Sequence, residues 1–426
     1  MPMSIVSNRL HRGALLLVTA SGAALSPLCA QTAIPPDSVV TVFTSDTLSE
    51  FGAVGGVAVD ALGFVYVADF RNAVWRITPE GHVSRFADGL YGASGNAVGP
   101  RGFLFQSSFN GNYVSRISRD GRVETWASQG LSGPVGIAVD AGGDLFVCNC
   151  VAGTIGRIGA DRVARTFSES ELFACPNGIT FDDRGDLYVV NFNNDQVVRI
   201  TPDGTATSFA RVQGAGGNGH IAFARGGFYV TQFRGERVFR LDRDGAVSRV
   251  AGTGERGETD GSALEATFSS PNGIAASPTG NQLWINDYAG PLTRGTGAYV
   301  AMRRIDLVSL REVLGRLPAG GTDAVRSAYS AYRESRPGVD TRSDAIALGF
   351  LWLSTGRFTE ALTLFQLNAE AHRDDPSSQF NLGEAYRHLG QPEQAAAQYE
   401  RTLELDPDHP QAQARLELVR SGPPAL

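Results

Sequence analysis

The chain has 426 residues, a formal net charge of -7, hydrophobic residues at 42% and charged residues at 19%, the composition of a folded protein with more than one domain. That balance offers no basic footprint for a phosphate backbone, which excludes nucleic acid as a partner. All 37 basic residues are arginine, which removes Schiff-base chemistry, lysine general bases and phosphate loops ending in Gly-Lys.

At the N-terminus, Arg9 and Arg12 precede an apolar run from Gly13 to Leu25, followed by Pro27 and the small residue Ala30. This order of charged, apolar and small-residue regions predicts a cleaved export signal over residues 1–30, leaving Gln31 first. The run is too short and too polar for a membrane span, and no other segment is long and apolar enough for one. The sequence context of Cys29 does not match a lipoprotein signal. A periplasmic or secreted location is therefore expected.

From residue 31 to 308 the chain repeats itself. Gly56-Val57-Ala58-Val59-Asp60 returns as Gly136-Ile137-Ala138-Val139-Asp140, as Gly178-Ile179-Thr180-Phe181-Asp182 and as Gly273-Ile274-Ala275-Ala276, with weaker copies near Ala97 and Ile221. Each copy continues into a turn, an apolar run ending on a polar residue, and a strand closing on Arg-Ile or its like, such as Arg76-Ile77 or Arg199-Ile200. A turn such as Glu80-Gly81 or Asp203-Gly204 then feeds a fourth strand. Six such units of four short strands predict an all-β six-bladed propeller, because a four-stranded sheet buries its faces only against its neighbours. Val39–Thr44 reads as a lone fourth strand that closes the ring on the sixth unit. Ser309–Leu317 reads equally as an outer strand or as the start of a helix.

At these residues the chain resembles the NHL-repeat propellers and their gluconolactonase and senescence-marker relatives. The stretch from Ala251-Gly252-Thr253-Gly254-Glu255 through Asp260-Gly261 to Pro271-Asn272-Gly273 is similar to a loop of bacterial NHL proteins. The resemblance implies a propeller and, through the lactonase relatives, a divalent cation held in part by asparagine; Asn177 and Asn272, each in Pro-Asn-Gly, match that asparagine. Asparagine carbonyls suit calcium. Those relatives also supply a glutamate and an aspartate from two loops that here read Val54-Gly55-Gly56 and Gly217-Asn218-Gly219, without a carboxylate.

After a linker and helix over 309–342, with Val325, Ala328, Tyr329 and Tyr332 on one face, residues 343–420 turn alanine-rich. Gly349, Gly356 and Ala361 recur as Gly383, Gly390 and Ala395, a shift of 34 residues. That is the tetratricopeptide (TPR) period, and it predicts a small all-α repeat domain serving as a packing appendage or as a surface for a protein partner.

Candidate chemistry gathers where loops leading into the first strand of each blade share a face with loops leaving the second. The first set offers Asn96, Asn177, Asn218, His220 and Asn272. The second offers Asp69, Arg71, Ser108, Asn149, Asn191, Asn193, Arg234 and Asp287. Asp69, Asn149, Asn191 and Asp287 hold one position in successive blades, the pattern of loop caps. His220 breaks the repeat by standing where other blades place glycine, and together with Asp69 it is the candidate for acid-base work. Cys150 and Cys175 fall on one face in adjacent segments, where a disulfide would pin one loop to the next; a thiol nucleophile is the rival. The expected function is an exported module whose propeller binds a small molecule, sugar or peptide. The alternative is a metal-dependent lactone or ester hydrolase, or a lyase.

Overall fold

The computed structural model describes residues 34–44, 54–214, 217–288 and 300–421; the expected export signal lies outside them. Five of the repeats form antiparallel four-stranded sheets and the sixth a five-stranded one, edged by the short strand Gly261–Ser262, and the faces of each pack on its neighbours. Blade one consists of Val57–Val59, Val65–Asp69, Ala73–Ile77 and Val83–Ala87. Blade two runs from Ala93–Val98 to Val123–Ala127, blade three from Pro134–Val139 to Ala164–Glu169, blade four from Pro176–Phe181 to Ala206–Arg211, and blade five from Asn218–Ala224 to Val247–Ala251. Blade six takes three strands from Pro271–Ala276, Gln282–Tyr288 and Val300–Asp306, and its next from Ser38–Thr44, which pairs antiparallel with Val300–Asp306. The ring is closed by the start of the propeller sequence, as its isolated fourth strand predicts.

The repeated residues have local causes. The Asp60 carboxylate accepts the Leu62 and Phe64 amides and so fixes the turn after the first strand; Asp182 does the same for Arg184 and Asp186. In blades one, two, three and six the arginine of the Arg-Ile pair covers aromatic rings at the sheet surface. Arg76 lies 5.4 Å from the Phe64 ring and 4.9 Å from Phe86, and Arg116 lies 4.5 Å from Phe103 and 4.4 Å from Trp126.

The glycine that opens the repeat marks a waist where inner strands of neighbouring blades touch. A Cβ on Gly56 would stand 2.8 Å from the Gly95 Cα, one on Gly95 2.3 Å from the Val135 carbonyl oxygen, and one on Gly136 2.2 Å from the Asn177 oxygen. The circuit is completed by Gly178 at 2.6 Å from the His220 Cα, by Gly219, one residue before the repeat position in blade five, at 2.6 Å from the Asn272 oxygen, and by Gly273 at 2.7 Å from the Gly55 oxygen. Only a residue without a side chain lets backbones approach this closely.

The C-terminal region holds seven described helices: α1 Leu310–Gly315, α2 Thr322–Ser335, α3 Arg342–Ser354, α4 Phe358–Ala371, α5 Pro376–His388, α6 Pro392–Leu405 and α7 Ala412–Ser421. The ambiguous stretch Ser309–Leu317 is therefore built on helix α1, capped by Ser309, and Leu310, Val313, Leu314 and Leu317 join one apolar core with Val325, Tyr329, Tyr332, Leu348 and Trp352. The segment 309–342 is part of that core. The 34-residue period has a packing cause: a Cβ on Gly349 would meet the Phe365 ring at 2.4 Å, and one on Gly383 would meet the Tyr399 ring at 2.7 Å. Asp375 caps α5 by accepting the Ser378 amide, ahead of Pro376.

The helices dock on blades five and six through polar contacts. Arg240 donates to the Pro337 oxygen at 2.9 Å and to the Gly338 oxygen at 2.6 Å, and Tyr332 donates to the Val308 oxygen at 2.9 Å. Asp37, just before the closing strand, accepts from the Val308 amide and from Arg336. No helix among the described residues is long and apolar enough to cross a membrane.

Candidate functional site

The waist divides the propeller axis in two. Below it, a channel of about 300 Å³ is lined by the inner strands, including Asn96, Ile137, Ile179, His220 and Ile274. Above it lies the mouth, framed by the loops that lead into the inner strands and those that leave the second strands.

His220 takes the waist position held by Gly56, Gly95, Gly136, Gly178 and Gly273 in the other blades and lines the channel. Its backbone amide donates to the Thr231 hydroxyl, and its ring has no hydrogen-bond partner among the described residues. Burial pushes its pKa down to about 4, so the imidazole is neutral near pH 7. Asp69 is at the end of its strand facing the mouth, 1% exposed, accepting the Arg71 amide. The two candidates for acid-base work thus face different compartments.

Most of the polar residues expected at the mouth bond backbone groups of their own blade's loops or of the next blade. Asn177 donates to the Gly219 oxygen at 2.6 Å, and Asn272 donates to the Gly55 oxygen at 3.0 Å, each stitching its blade to the next. Asn218 donates weakly to the Asn194 oxygen, while Asn149 accepts the Ser132 amide and Asn191 donates to the Leu172 oxygen. Ser108 is wholly buried, and Asp287 accepts the Ser269 and Ser270 amides 3.5 Å from the buried Arg303. Desolvation raises the Asp287 pKa to about 6 against those stabilising partners. Asn96 sits within its inner strand, level with Ile137, and its amide reaches the Tyr66 oxygen at 3.4 Å. Arg71, Asn193 and Arg234 are exposed.

The Asn177 and Asn272 amides are turned to backbone carbonyls, and among the described residues no three His, Cys, Asp or Glu side chains stand together to hold a metal.

The mouth instead carries aromatic rings. The residue following the polar end of the second strand is Phe70, Phe109, Cys150, Phe192, Phe233 and Tyr288 in successive blades, and every one is half-buried. The backbone fixes this position: the Phe109 amide bonds the Gly92 oxygen, Cys150 bonds Gly133, Phe192 bonds Cys175, and Phe233 bonds Gly217. Neighbouring rings lie 6.1 Å apart for Phe70 and Phe109 and 5.9 Å apart for Phe192 and Phe233. Exposed Val151 shares the space over Gly133 with Phe109, and Arg234 lies 5.8 Å from the Phe192 ring.

Cys150, the non-aromatic member, is joined by a disulfide to Cys175 of the next blade. Cys175 adopts φ 53 at the position where Gly92, Gly133 and Gly217 supply positive φ. Where blade two lays Phe109 over Gly133, blade three has a covalent bridge. Cys148 is buried, and desolvation drives its thiol pKa far up, which removes it as a nucleophile.

The aromatic arc escaped the sequence reading, which stopped at the polar residue ending each apolar run. The signal was the next residue, aromatic in five of six aligned units.

Residues 71–295 match the family described as Virginiamycin B lyase family, and residues 376–409 match the tetratricopeptide repeat. No curated protein matches the chain. Among solved structures, a protein of unknown function from Bacteroides thetaiotaomicron is 19% identical, with 63% of this chain and 76% of that one covered and a TM-score of 0.52. A catalytically inactive virginiamycin B lyase from Staphylococcus aureus with quinupristin is 19% identical over 60% of this chain and 80% of that one, TM-score 0.46. A gluconolactonase from Xanthomonas campestris is 16% identical over 64% of this chain and 95% of that one, TM-score 0.48.

Proposed function

The chain belongs to the Virginiamycin B lyase family, and from that premise we propose that it is an exported binding protein whose propeller mouth takes an amphiphilic molecule bearing apolar rings. The observation that carries this reading is the aromatic arc of Phe70, Phe109, Phe192, Phe233 and Tyr288 at one repeat position around the axis. Half-exposed aromatic rings on a rigid frame give contact area at little entropic cost. Arg71 and Arg234 at its rim favour a ligand with a polar or anionic edge. A disulfide at the mouth accords with an oxidising compartment beyond the expected signal. The helical module supplies a surface for a protein partner.

The family name favours a second reading, a lyase or lactone hydrolase. In this chain such a reaction needs an acid-base pair at the mouth, whereas Asp69 and Asp287 are buried on loop amides and His220 lies beyond the waist.

Incubation with virginiamycin B, the compound in the family's name, tests the choice. Binding read by calorimetry, with the compound unchanged on chromatography, supports the binding reading. Enzyme-dependent conversion that survives His220→Ala but not Asp69→Asn would replace it with catalysis at the mouth.

A further inference from the structure

We propose that the cavity between blades five and six and helix α2 is a binding site for a small organic anion, a carboxylate on an apolar body. The cavity measures about 340 Å³, within the range of small-molecule sites, and has apolar walls from Ile34, Leu264, Leu307 and Val339. Its polar lining is lopsided in charge: Arg225, Arg240, Arg249 and Arg336 face it with Asp37 as the single carboxylate. Asp37 is engaged by Arg336 at 2.9 Å, and Arg225 stands 3.6 Å from Asp344 behind the lining.

Arg240 and Arg249 are left without a carboxylate among the described residues. Arg240 is 5% exposed, its terminal nitrogens donate to the neutral Pro337 and Gly338 oxygens, its other side-chain partner is the neutral Tyr229 hydroxyl, and its Nε has no partner. Arg249 donates to the Gly252 oxygen alone. A buried guanidinium whose partners are all neutral keeps an unmet electrostatic demand, which an arriving carboxylate satisfies. Because the lining comes from both modules, the bound anion tightens their docking.

The test is calorimetric titration of the full mature chain with phenylacetate and with the neutral phenylacetamide. Saturable binding of one phenylacetate per chain is expected, at least tenfold tighter than the amide. Arg249→Gln, at an exposed residue, is expected to weaken it about tenfold with the ligand-free melting temperature unchanged, whereas Phe109→Ser leaves it intact. No saturable binding, equal binding of the amide, an unaffected Arg249→Gln, or loss in Phe109→Ser, which would place the ligand at the mouth, overturns the proposal. The last result alone also leaves the mouth reading standing, so the two sites are judged separately.

Discussion

The backbone of Gly178 passes His220 so closely that a Cβ on the glycine would stand 2.6 Å from the histidine Cα. That contact is one segment of the waist, and it explains why the repeat opens on glycine at nearly every copy: inner strands meet backbone to backbone there. Gly136→Ala and Gly178→Ala should each lower stability by about 2 to 4 kcal/mol in urea unfolding, since the obstructing atoms are backbone and cannot swing away. Gly315→Ala, with nothing within 4 Å of the added carbon, should stay within about 0.5 kcal/mol. Equal effects would contradict the waist.

His220 makes the fold acid-sensitive. Its pKa falls from 6.5 to about 4 on burial, so the folded state holds fewer protons than the unfolded state between those values. The stability it contributes is complete above pH 6.5 and is lost as pH falls toward 4, by at most about 3 kcal/mol. Asp287 runs the other way: its pKa is raised to about 6, so its contribution is complete below 3.8 and is lost as pH rises through 6. The readout is therefore the difference between wild type and His220→Gln in unfolding free energy across pH 4 to 7. A difference independent of pH would contradict a buried neutral imidazole.

The bridge between Cys150 and Cys175 spans a sequence separation of 25 residues, for which loop-closure entropy gives a stabilisation of about 3 kcal/mol. Cys150→Ser with Cys175→Ser should lose an amount of that order. The pair Cys150→Phe with Cys175→Gly rebuilds the arrangement of Phe109 over Gly133 and relieves a non-glycine residue of φ 53, so it should recover about 1 kcal/mol relative to the serine pair. Thermal melting of the two variants checks the order.

Asp37 links ring closure to helical docking, because it accepts from the Val308 amide at 2.8 Å and from Arg336 at 2.9 Å. Asp37→Ala should cost about 1 to 3 kcal/mol by stranding those donors. Hydrogen exchange should quicken in α2 and in Ser38–Thr44, with blades two to four unchanged. Faster exchange throughout would argue against a local latch.

Much of this architecture is legible in the residues. The Gly-Ile-Ala-Val-Asp copies mark both the waist and the turn aspartates, and the isolated Val39–Thr44 finds its place as the fourth strand of blade six, inside the short edge strand Gly261–Ser262. The site was harder to read because a polar residue in a repeat looks the same whether it meets a ligand or a backbone. Asn177 and Asn272 resemble metal ligands in sequence, while in space their amides reach carbonyls in the next blade, a partner some forty residues or more away along the chain. Asn96 belongs to a weak copy whose register is clear only once it pairs with Gln106. The aromatic arc depends on residues with no chemistry of their own, whose meaning comes from their convergence on one axis.

The most direct test of the mouth as the ligand site is a titration with Nile red, a neutral apolar dye that the arginine-lined cavity has no electrostatic reason to attract. Wild type, Phe109→Ser, Phe192→Ser and, as a control, Leu351→Ser on the exposed face of α3 would be compared by fluorescence. Saturable binding weakened at least tenfold in both mouth variants and unchanged in Leu351→Ser is the predicted result. No saturable binding, or binding indifferent to Phe109 and Phe192, would contradict it.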